Sequence, residues 1–314
     1  MSKMQLTTPL RLDHLAVWVS DMDQTLNFLC NVMGFKQHPM VVEVSEDDPT
    51  CGGMKAIFVD GNGLWLELIL PTGPGPGMDI LEQVGNGAIV EVNFEAVDQD
   101  YRNIIDEMST SGIQMLGMDG SDLKNYGRID EGVAGHDDSK ETGQYIAYWP
   151  TELTGGTTVE VYEKISDDET SLLNMRDKDW DKIEANQNGL YIDHLTILVQ
   201  DLNVAEKFYT GIMGLSSCNR SIDIDGTESI WIDAEGVWLQ LCKPTQSGPL
   251  MDLLEEKGSG HPMKMVVCVD DFDGYCSNIK SKGIQLVEVS TGVMRFPSDV
   301  SCGMLFEIAK SVAR

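Results

Sequence analysis

The chain repeats itself, and this internal duplication is the feature that most constrains its fold. The segment 12–15, Leu-Asp-His-Leu, returns as 192–195, Ile-Asp-His-Leu, and each copy is followed by a helix-like stretch that ends in Met-Gly. Further matched stretches are 64–68 with 237–241, 78–82 with 251–255, and 112–114 with 283–285. A duplication matched at this many separate points predicts two similar half-chain domains, each with its own buried core.

Each half contains two smaller units in which a strand is followed by a helix and then by further strands. In the first unit, Asp21 stands at a helix N-cap position, apolar residues recur at helical spacing from Met22 to Met33, and Gly34 provides the stop. The Asp60-Gly61-Asn62-Gly63 turn then separates two β-like runs. Four such units in two pairs predict an α+β fold made of βαβββ units.

The predicted domains are residues 1–163 and 190–314, joined by a linker of mixed charge at 164–189. A segment rich in Gly and Asp at 118–142 is either a lid over a site or a disordered insertion. Within it, His136 is either a solvated loop residue or a group that closes over the site of the first half.

Composition restricts the partners. A formal net charge of −29 repels phosphate backbones and anionic lipid headgroups, so neither nucleic acid nor a membrane surface is an expected partner. Seven cysteines without a CxxC pair favour isolated thiols in a reducing compartment, which predicts a cytoplasmic protein. No apolar stretch has the length of a membrane span, and no leader is expected. A monomer and a homodimer are both compatible with the sequence.

Polar residues enclosed by aliphatic neighbours occupy the centres of several predicted strands. In the first half these positions hold His14, Glu67, Glu91 and Glu160, and the equivalent positions of the second half hold His194, Gln240, Lys264 and Glu307. Burying carboxylates without a partner is costly, and one shared divalent cation removes that cost. An imidazole with carboxylate oxygens suits Mn²⁺, Co²⁺, Ni²⁺, Zn²⁺ or Fe²⁺, and the ligands do not distinguish these ions.

With these strands and polar positions, the chain resembles the vicinal oxygen chelate superfamily, which includes glyoxalase I, methylmalonyl-CoA epimerase, extradiol dioxygenases and fosfomycin-resistance proteins. The resemblance covers nearly the whole chain. It implies that paired βαβββ units curl into two tandem open barrels, and that His14, Glu67, Glu91 and Glu160 bind one divalent metal. The stretches 66–71, 78–82 and 149–156 of the first half are most similar to the epimerase branch, although epimerases usually have histidine at the position of Glu91.

The second half departs further from the family pattern, because a cationic Lys264 cannot bind a metal in its usual protonation state. Two interpretations remain. Either this is a metal-free remnant of a site formed by His194, Gln240 and Glu307, with Lys264 paired to Glu307, or His261 completes a two-histidine, one-carboxylate set like that of extradiol dioxygenases. Strand periodicity favours the first interpretation, since His261 and Lys264 have opposite parity.

The resemblance implies a metal-dependent isomerase or epimerase, or a related lyase, in which the ion holds an enolate oxygen while Glu160 or Glu91 removes the proton alpha to a carbonyl. The expected substrate is a small carbonyl compound. Trp18, Trp65, Phe94 and Tyr162 either line a pocket for an aromatic substrate or belong to the core. The alternatives are an Fe²⁺ extradiol-type ring-cleaving dioxygenase with its site in the second half, and a protein that binds a small molecule as resistance proteins do.

Overall fold

The computed structural model describes residues 6, 9–46, 52–97, 101–117, 123, 144–164, 189–222 and 227–311. Almost all of the predicted insertion at 118–142, including His136, and most of the predicted linker at 164–189 lie outside these residues. The predictions made for them therefore stay predictions.

The first half has the predicted alternation of strands and helices. Its elements are β1 (Leu10–Trp18), α1 (Met22–Leu26), β2 (Lys36–Val44), β3 (Met54–Asp60), β4 (Trp65–Pro71), α2 (Pro76–Val84), β5 (Ala88–Ala96), α3 (Tyr101–Thr110), β6 (Gln144–Tyr148), α4 (Thr151–Thr154) and β7 (Val159–Lys164).

The second half follows the same order. Its elements are β8 (Tyr191–Leu198), α5 (Leu202–Glu206), β9 (Ser216–Ile222), β10 (Thr227–Asp233), β11 (Trp238–Pro244), α6 (Pro249–Lys257), β12 (His261–Val269), α7 (Phe272–Ser281), β13 (Val287–Ser290), β14 (Val293–Arg295) and β15 (Phe306–Lys310).

The duplication extends to the way in which the first helix of each half begins. The side chain of Asp21 accepts a hydrogen bond from the backbone N–H of Gln24 at 2.9 Å, as predicted for an N-cap. Asp201 caps α5 in the same way, accepting from the N–H groups of Asn203 and Val204.

Both helices then change geometry. They continue as π-helical segments, Asn27–Met33 and Lys207–Ile212, where the sequence predicts uninterrupted α-helix. Apolar spacing distinguishes helix from strand but does not distinguish α- from π-hydrogen bonding, which explains the difference.

Within the described residues the strands form two open mixed sheets. One has seven strands in the order β2-β3-β4-β1-β5-β7-β6, and the other has eight in the order β13-β14-β15-β12-β8-β11-β10-β9. The first strand of a unit pairs in parallel with its last strand: β1 with β4, β5 with β7, and β12 with β15. The predicted α+β class is confirmed, and these parallel pairs place the strand-centre polar residues next to one another.

The chain divides into two compact units that draw segments from both halves. The first unit comprises Met1–Asp13, Glu91–Lys182 and Ile197–His261, and the second comprises His14–Val90, Ile183–Thr196 and Pro262–Arg314. The predicted domain boundaries remain a prediction.

Each unit has its own aromatic core. In the first unit, Trp149 packs edge-on against Phe208 with ring centroids 5.5 Å apart. In the second unit, Phe28 lies 5.1 Å from Phe296 and 5.7 Å from Phe306 by the same measure. Fully buried aromatic side chains contribute a large share of core stabilisation, so these contacts anchor the π-helical segments that carry Phe28 and Phe208.

None of the helices in the described part of the chain is long and apolar enough to cross a membrane. Six of the seven cysteines lie in the described part, and all six are free thiols, while Cys51 lies outside it.

Candidate functional site

His14 and Glu67 lie side by side on adjacent strands of the second compact unit. The parallel register aligns His14 with Trp65 and Ala16 with Glu67, so both polar side chains project from the same face of the sheet. The Nε2 atom of His14 is 3.5 Å from the Oε2 atom of Glu67. The His14 side chain is 6% exposed and that of Glu67 is 20% exposed, so the imidazole is buried while solvent reaches the carboxylate.

Aromatic rings enclose this pair. The His14 ring meets Phe58 edge-on at a centroid distance of 5.9 Å, and Phe58 lies directly across the β3–β4 pair from Glu67. Trp65 packs perpendicular to Phe58 and also contacts the ring of His38, which is 4% exposed. An apolar wall of this kind strengthens electrostatic interactions at the pair because it lowers the local dielectric constant.

Glu160 and Glu91 belong to the first compact unit. The parallel β5–β7 register aligns Asn93 with Glu160, and Glu91 stands two residues before Asn93 on the same face. Glu160 is 4% exposed, and Asn93 is completely buried. The Tyr148 hydroxyl donates a hydrogen bond to Oε2 of Glu160 at 2.7 Å from its position directly across the β6–β7 pair. This bond restricts the orientation of the buried carboxylate.

In the second half, Glu307 is held by two cations. Lys264 Nζ donates to Oε2 of Glu307 at 2.7 Å, and Arg295 Nη2 and Nε donate to Oε1 at 2.6 and 3.1 Å. The predicted pairing of Lys264 with Glu307 is therefore confirmed. Burial by itself raises the pKa of Glu307, but the charges and hydrogen bonds of Lys264 and Arg295 outweigh it, so the pKa lies below its ordinary value.

The remaining candidate ligands of the second half are His194, Gln240 and His261, and each has a different environment. His194 Nδ1 lies 2.7 Å from a carboxylate oxygen of the preceding Asp193, and Gln240 is half-buried on β11. His261 begins β12 three residues before Lys264, hence with the opposite parity. Burial lowers the pKa of His261, and the positive charge of the nearby Lys257 lowers it further. A histidine of this kind is neutral near pH 7, which is the form that binds metals.

The structure brings the predicted residues together in pairs. His14 lies beside Glu67 and Lys264 beside Glu307, while no group of three or more His, Cys, Asp or Glu side chains poised to hold a metal occurs among the described residues. Sequence reasoning missed Tyr148, Asn93 and Arg295. Strand alternation shows which residues of 144–148 share a face with Tyr148, but it does not show which residue of the neighbouring strand lies opposite. The β6–β7 register supplies that information and pairs Tyr148 with Glu160.

The chemistry of the His14–Glu67 pair fits two neighbouring ligands of a divalent ion. Nitrogen and oxygen ligands each about 2.1 Å from one cation lie about 3.0–3.5 Å apart. The pair combines an imidazole nitrogen with a carboxylate oxygen, a combination that is common to Zn²⁺, Fe²⁺ and Mn²⁺ sites. Glu307 does not fit this role, because both of its oxygens already accept hydrogen bonds from cationic side chains.

Comparison with known proteins identifies one family. The family model of the Glyoxalase/Bleomycin resistance protein/Dioxygenase superfamily matches residues 11–120 and 191–299, once in each half of the chain. No curated protein matches the chain in a sequence search.

Two solved structures resemble nearly the whole chain at low sequence identity, and a third resembles less than half of it. A triple mutant of 4-hydroxymandelate synthase from Streptomyces coelicolor is 13% identical with a TM-score of 0.65, and the match covers 98% of this chain and 94% of that one. A catechol 2,3-dioxygenase is 14% identical with a TM-score of 0.52, covering 96% of this chain and 92% of the other. Methylmalonyl-CoA epimerase from Mycobacterium tuberculosis is 22% identical over 42% of this chain and 96% of its own, with a TM-score of 0.38 that carries no argument. At these identities the likeness establishes the fold alone.

Proposed function

Because the chain belongs to the Glyoxalase/Bleomycin resistance protein/Dioxygenase superfamily, we propose that it is a divalent-metal-dependent isomerase or epimerase, or a related lyase. Its reaction begins with removal of a proton from the carbon next to a carbonyl group. The observation that carries the proposal is the His14–Glu67 pair, an imidazole nitrogen and a carboxylate oxygen 3.5 Å apart on adjacent strands.

In this proposal His14 and Glu67 would hold the metal, and Glu91 and Glu160 remain proposed ligands because the family resemblance implies them. When bound, a divalent ion supplies Lewis acidity, which polarises a carbonyl oxygen and stabilises the negative charge that develops there. His14 and Glu67 would hold the ion, and the His14 ring is oriented by its edge-on contact with Phe58, which stands directly across the β3–β4 pair from Glu67.

Glu160 is the proposed general base, with Glu91 as the alternative. A base must keep its carboxylate aimed at the carbon-bound proton, and the hydrogen bond from Tyr148 restricts Glu160 to one orientation. Burial of Glu160 excludes the bulk water that would otherwise compete for its lone pairs. Return of the proton to the same or a neighbouring carbon gives epimerisation or isomerisation, and loss of a leaving group gives elimination.

The proposed substrate is a small carbonyl compound with little negative charge. A net charge of −29 disfavours the approach of polyanions, which argues against substrates that carry several phosphate groups. Trp65, which is half-buried two residues before Glu67 on the same strand face, supplies an apolar surface on which the carbon skeleton can pack.

The test combines metal content with proton exchange. The purified protein is loaded with Mn²⁺, Co²⁺, Ni²⁺, Zn²⁺ or Fe²⁺, its metal content is measured by elemental analysis, and carbonyl compounds such as acetoin and lactaldehyde are incubated with it in D₂O. Proton NMR should reveal metal-dependent exchange of the proton next to the carbonyl. Glu67→Gln should reduce both the bound metal and the exchange at least tenfold.

Glu82→Gln is the matched control, because Glu82 is exposed on α2 and its substitution removes the same charge. It should leave metal content and exchange unchanged. Full metal content in Glu67→Gln, or a metal-loaded wild-type protein that exchanges none of these protons, contradicts the proposal.

A second candidate is a ring-cleaving dioxygenase, favoured by the whole-chain fold likeness to a catechol 2,3-dioxygenase. The paired state of Glu307 weighs against it, because this carboxylate would have to leave Lys264 and Arg295 to bind iron. The two candidates separate in an oxygen-electrode assay with catechol and Fe²⁺. Dioxygenase activity that is lost in His194→Ala and kept in Glu67→Ala would favour the second candidate.

A further inference from the structure

Three charged side chains on one face of the second sheet form a cluster, Lys264, Arg295 and Glu307, that the proposed reaction does not use. The antiparallel β14–β15 register sets Arg295 directly across from Glu307, and the parallel β12–β15 register sets Lys264 two residues before the partner of Glu307. Glu307 is 3% exposed, whereas Lys264 and Arg295 are 20% and 38% exposed. The anion is therefore buried, and solvent reaches both cations.

The donors in this cluster outnumber its acceptors. An ammonium has three N–H groups and a guanidinium has five, all donors. Among the described residues, the hydrogen bonds of Lys264 and Arg295 go to Glu307 alone and use one N–H of Lys264 and two N–H groups of Arg295. Two positive charges and one negative charge leave a net charge of +1, with N–H donors remaining on both cations.

The equivalent positions of the first half have the opposite chemistry. Glu91 stands where the second half has Lys264, Tyr148 where it has Arg295, and Glu160 where it has Glu307. Acidic oxygens in the first half attract a cation, whereas the same framework in the second half presents two cations that a buried carboxylate holds in place. Such an arrangement is preorganised for an anion, because Glu307 fixes the donors before a ligand arrives.

We infer that the Lys264–Glu307–Arg295 cluster is a metal-independent binding site for a small molecule that carries one carboxylate. A single negative charge matches the net charge of the cluster, and a planar carboxylate matches the fork of donors on Arg295. A phosphate dianion fits less well, because its second charge meets Glu307 at short range and the negative field of the whole chain.

The experiment is an isothermal titration of the EDTA-treated full chain with benzoate, and separately with inorganic phosphate, at low chloride. Wild-type protein should bind one benzoate per chain, more tightly than phosphate. Lys264→Met and Arg295→Met should each weaken benzoate binding at least tenfold. Lys310→Met, which removes an exposed charge from the same strand β15, should bind benzoate as the wild type does.

Glu67→Gln separates this site from the proposed metal site and should leave benzoate binding intact even where it abolishes proton exchange. Circular dichroism establishes that each variant is folded, and Arg295→Lys provides a milder change should Arg295→Met unfold. The inference is overturned if wild-type protein does not bind benzoate saturably, if Lys264→Met and Lys310→Met have equal effects, or if phosphate binds more tightly than benzoate.

Discussion

Tyr148 and Arg295 occupy equivalent positions in the two halves of the chain. Each lies directly across an antiparallel strand pair from the glutamate of a closing strand, and each donates hydrogen bonds to it: Tyr148 to Glu160 at 2.7 Å, and Arg295 to Glu307 at 2.6 Å. Tyr148 is a neutral donor, so it brings no positive charge to Glu160. A cationic donor neutralises Glu307 and removes it from metal chemistry.

Tyr148→Phe tests the role of this hydrogen bond in proton exchange. Loss of a hydrogen bond to a charged group costs about 1.5–3 kcal/mol, which corresponds to a fall in kcat of roughly 10–100-fold if the bond orients Glu160 for proton removal. Metal content should change little, because the substitution keeps all four proposed ligands, His14, Glu67, Glu91 and Glu160. The measurement is metal-dependent exchange in D₂O with elemental analysis of the same sample.

Tyr191→Phe is the matched control, since it removes a tyrosine hydroxyl on β8 that lies 3.3 Å from the hydroxyl of Ser311, the residue after β15. It should leave the rate of exchange unchanged. A Tyr148→Phe variant as active as wild type would remove Tyr148 from the proposed mechanism.

Glu307→Gln should destabilise the fold near neutral pH. Removing the carboxylate leaves Lys264 and Arg295 next to each other without their counter-charge, and for partly exposed cations the expected loss is about 2–3 kcal/mol in the free energy of unfolding. Urea unfolding at pH 7 measures it. Glu228→Gln on β10, at a half-buried position in the same sheet, is a control for which a loss of under about 1 kcal/mol is expected.

The pH dependence of stability provides a second test of Glu307. Its pKa in the folded protein is below the ordinary value because Lys264 and Arg295 outweigh the effect of burial. The ion pair therefore contributes its full stabilisation above the pKa of the unfolded chain, near 4.5, and this contribution is lost as the pH falls through the lower folded-state value. The wild type should thus lose more stability than Glu307→Gln between pH 6 and 3, and equal losses would contradict the pairing.

Much of the fold can be predicted from the spacing of apolar residues and from the residues that begin and end helices. The contacts within the site depend on the register of strand pairing, which the sequence does not show. Asp21 and Gly34 mark the first helix, and the strands that carry His14, Glu67, Glu160 and Glu307 lie where the sequence predicts them. The three-residue strand β14 is too short to produce a periodic pattern, so Arg295 was not predicted as a partner of Glu307. Tyr148 was missed for a related reason, since hydrophobic alternation indicates a face but not the residue across from it.

Cys30 should be one of the least reactive thiols of the chain. Burial raises its pKa to about 11, although a hydrogen bond with the backbone of Gln37 opposes this effect. Since the thiolate is the reactive form, alkylation of Cys30 at pH 8 should be about two orders of magnitude slower than that of a thiol with an ordinary pKa of about 8.5. The exposed Cys218 is the internal reference. Mass spectrometry of iodoacetamide labelling between pH 7 and 11 measures the alkylation rates of Cys30 and Cys218. Equal rates at pH 8 would contradict the raised pKa of Cys30.

Gly156→Ala should destabilise the first compact unit through its close approach to residues 259 and 260. Gly156 has φ near +101°, and an added Cβ would fall on the carbonyl oxygen of Ser259, a backbone atom that cannot rotate away. Ser259 is itself fixed, because its hydroxyl donates to the Gly155 carbonyl and accepts from the N–H of Gln200. Strain at positive φ costs about 1 kcal/mol, and the clash should raise the total loss in the free energy of unfolding to about 3 kcal/mol or more.

Gly112→Ala measures the strain at positive φ without a clash, since Gly112 has φ near +79° and open space at its Cβ. Thermal unfolding that ranks the two variants equally would show that Gly156 is required only for its backbone conformation.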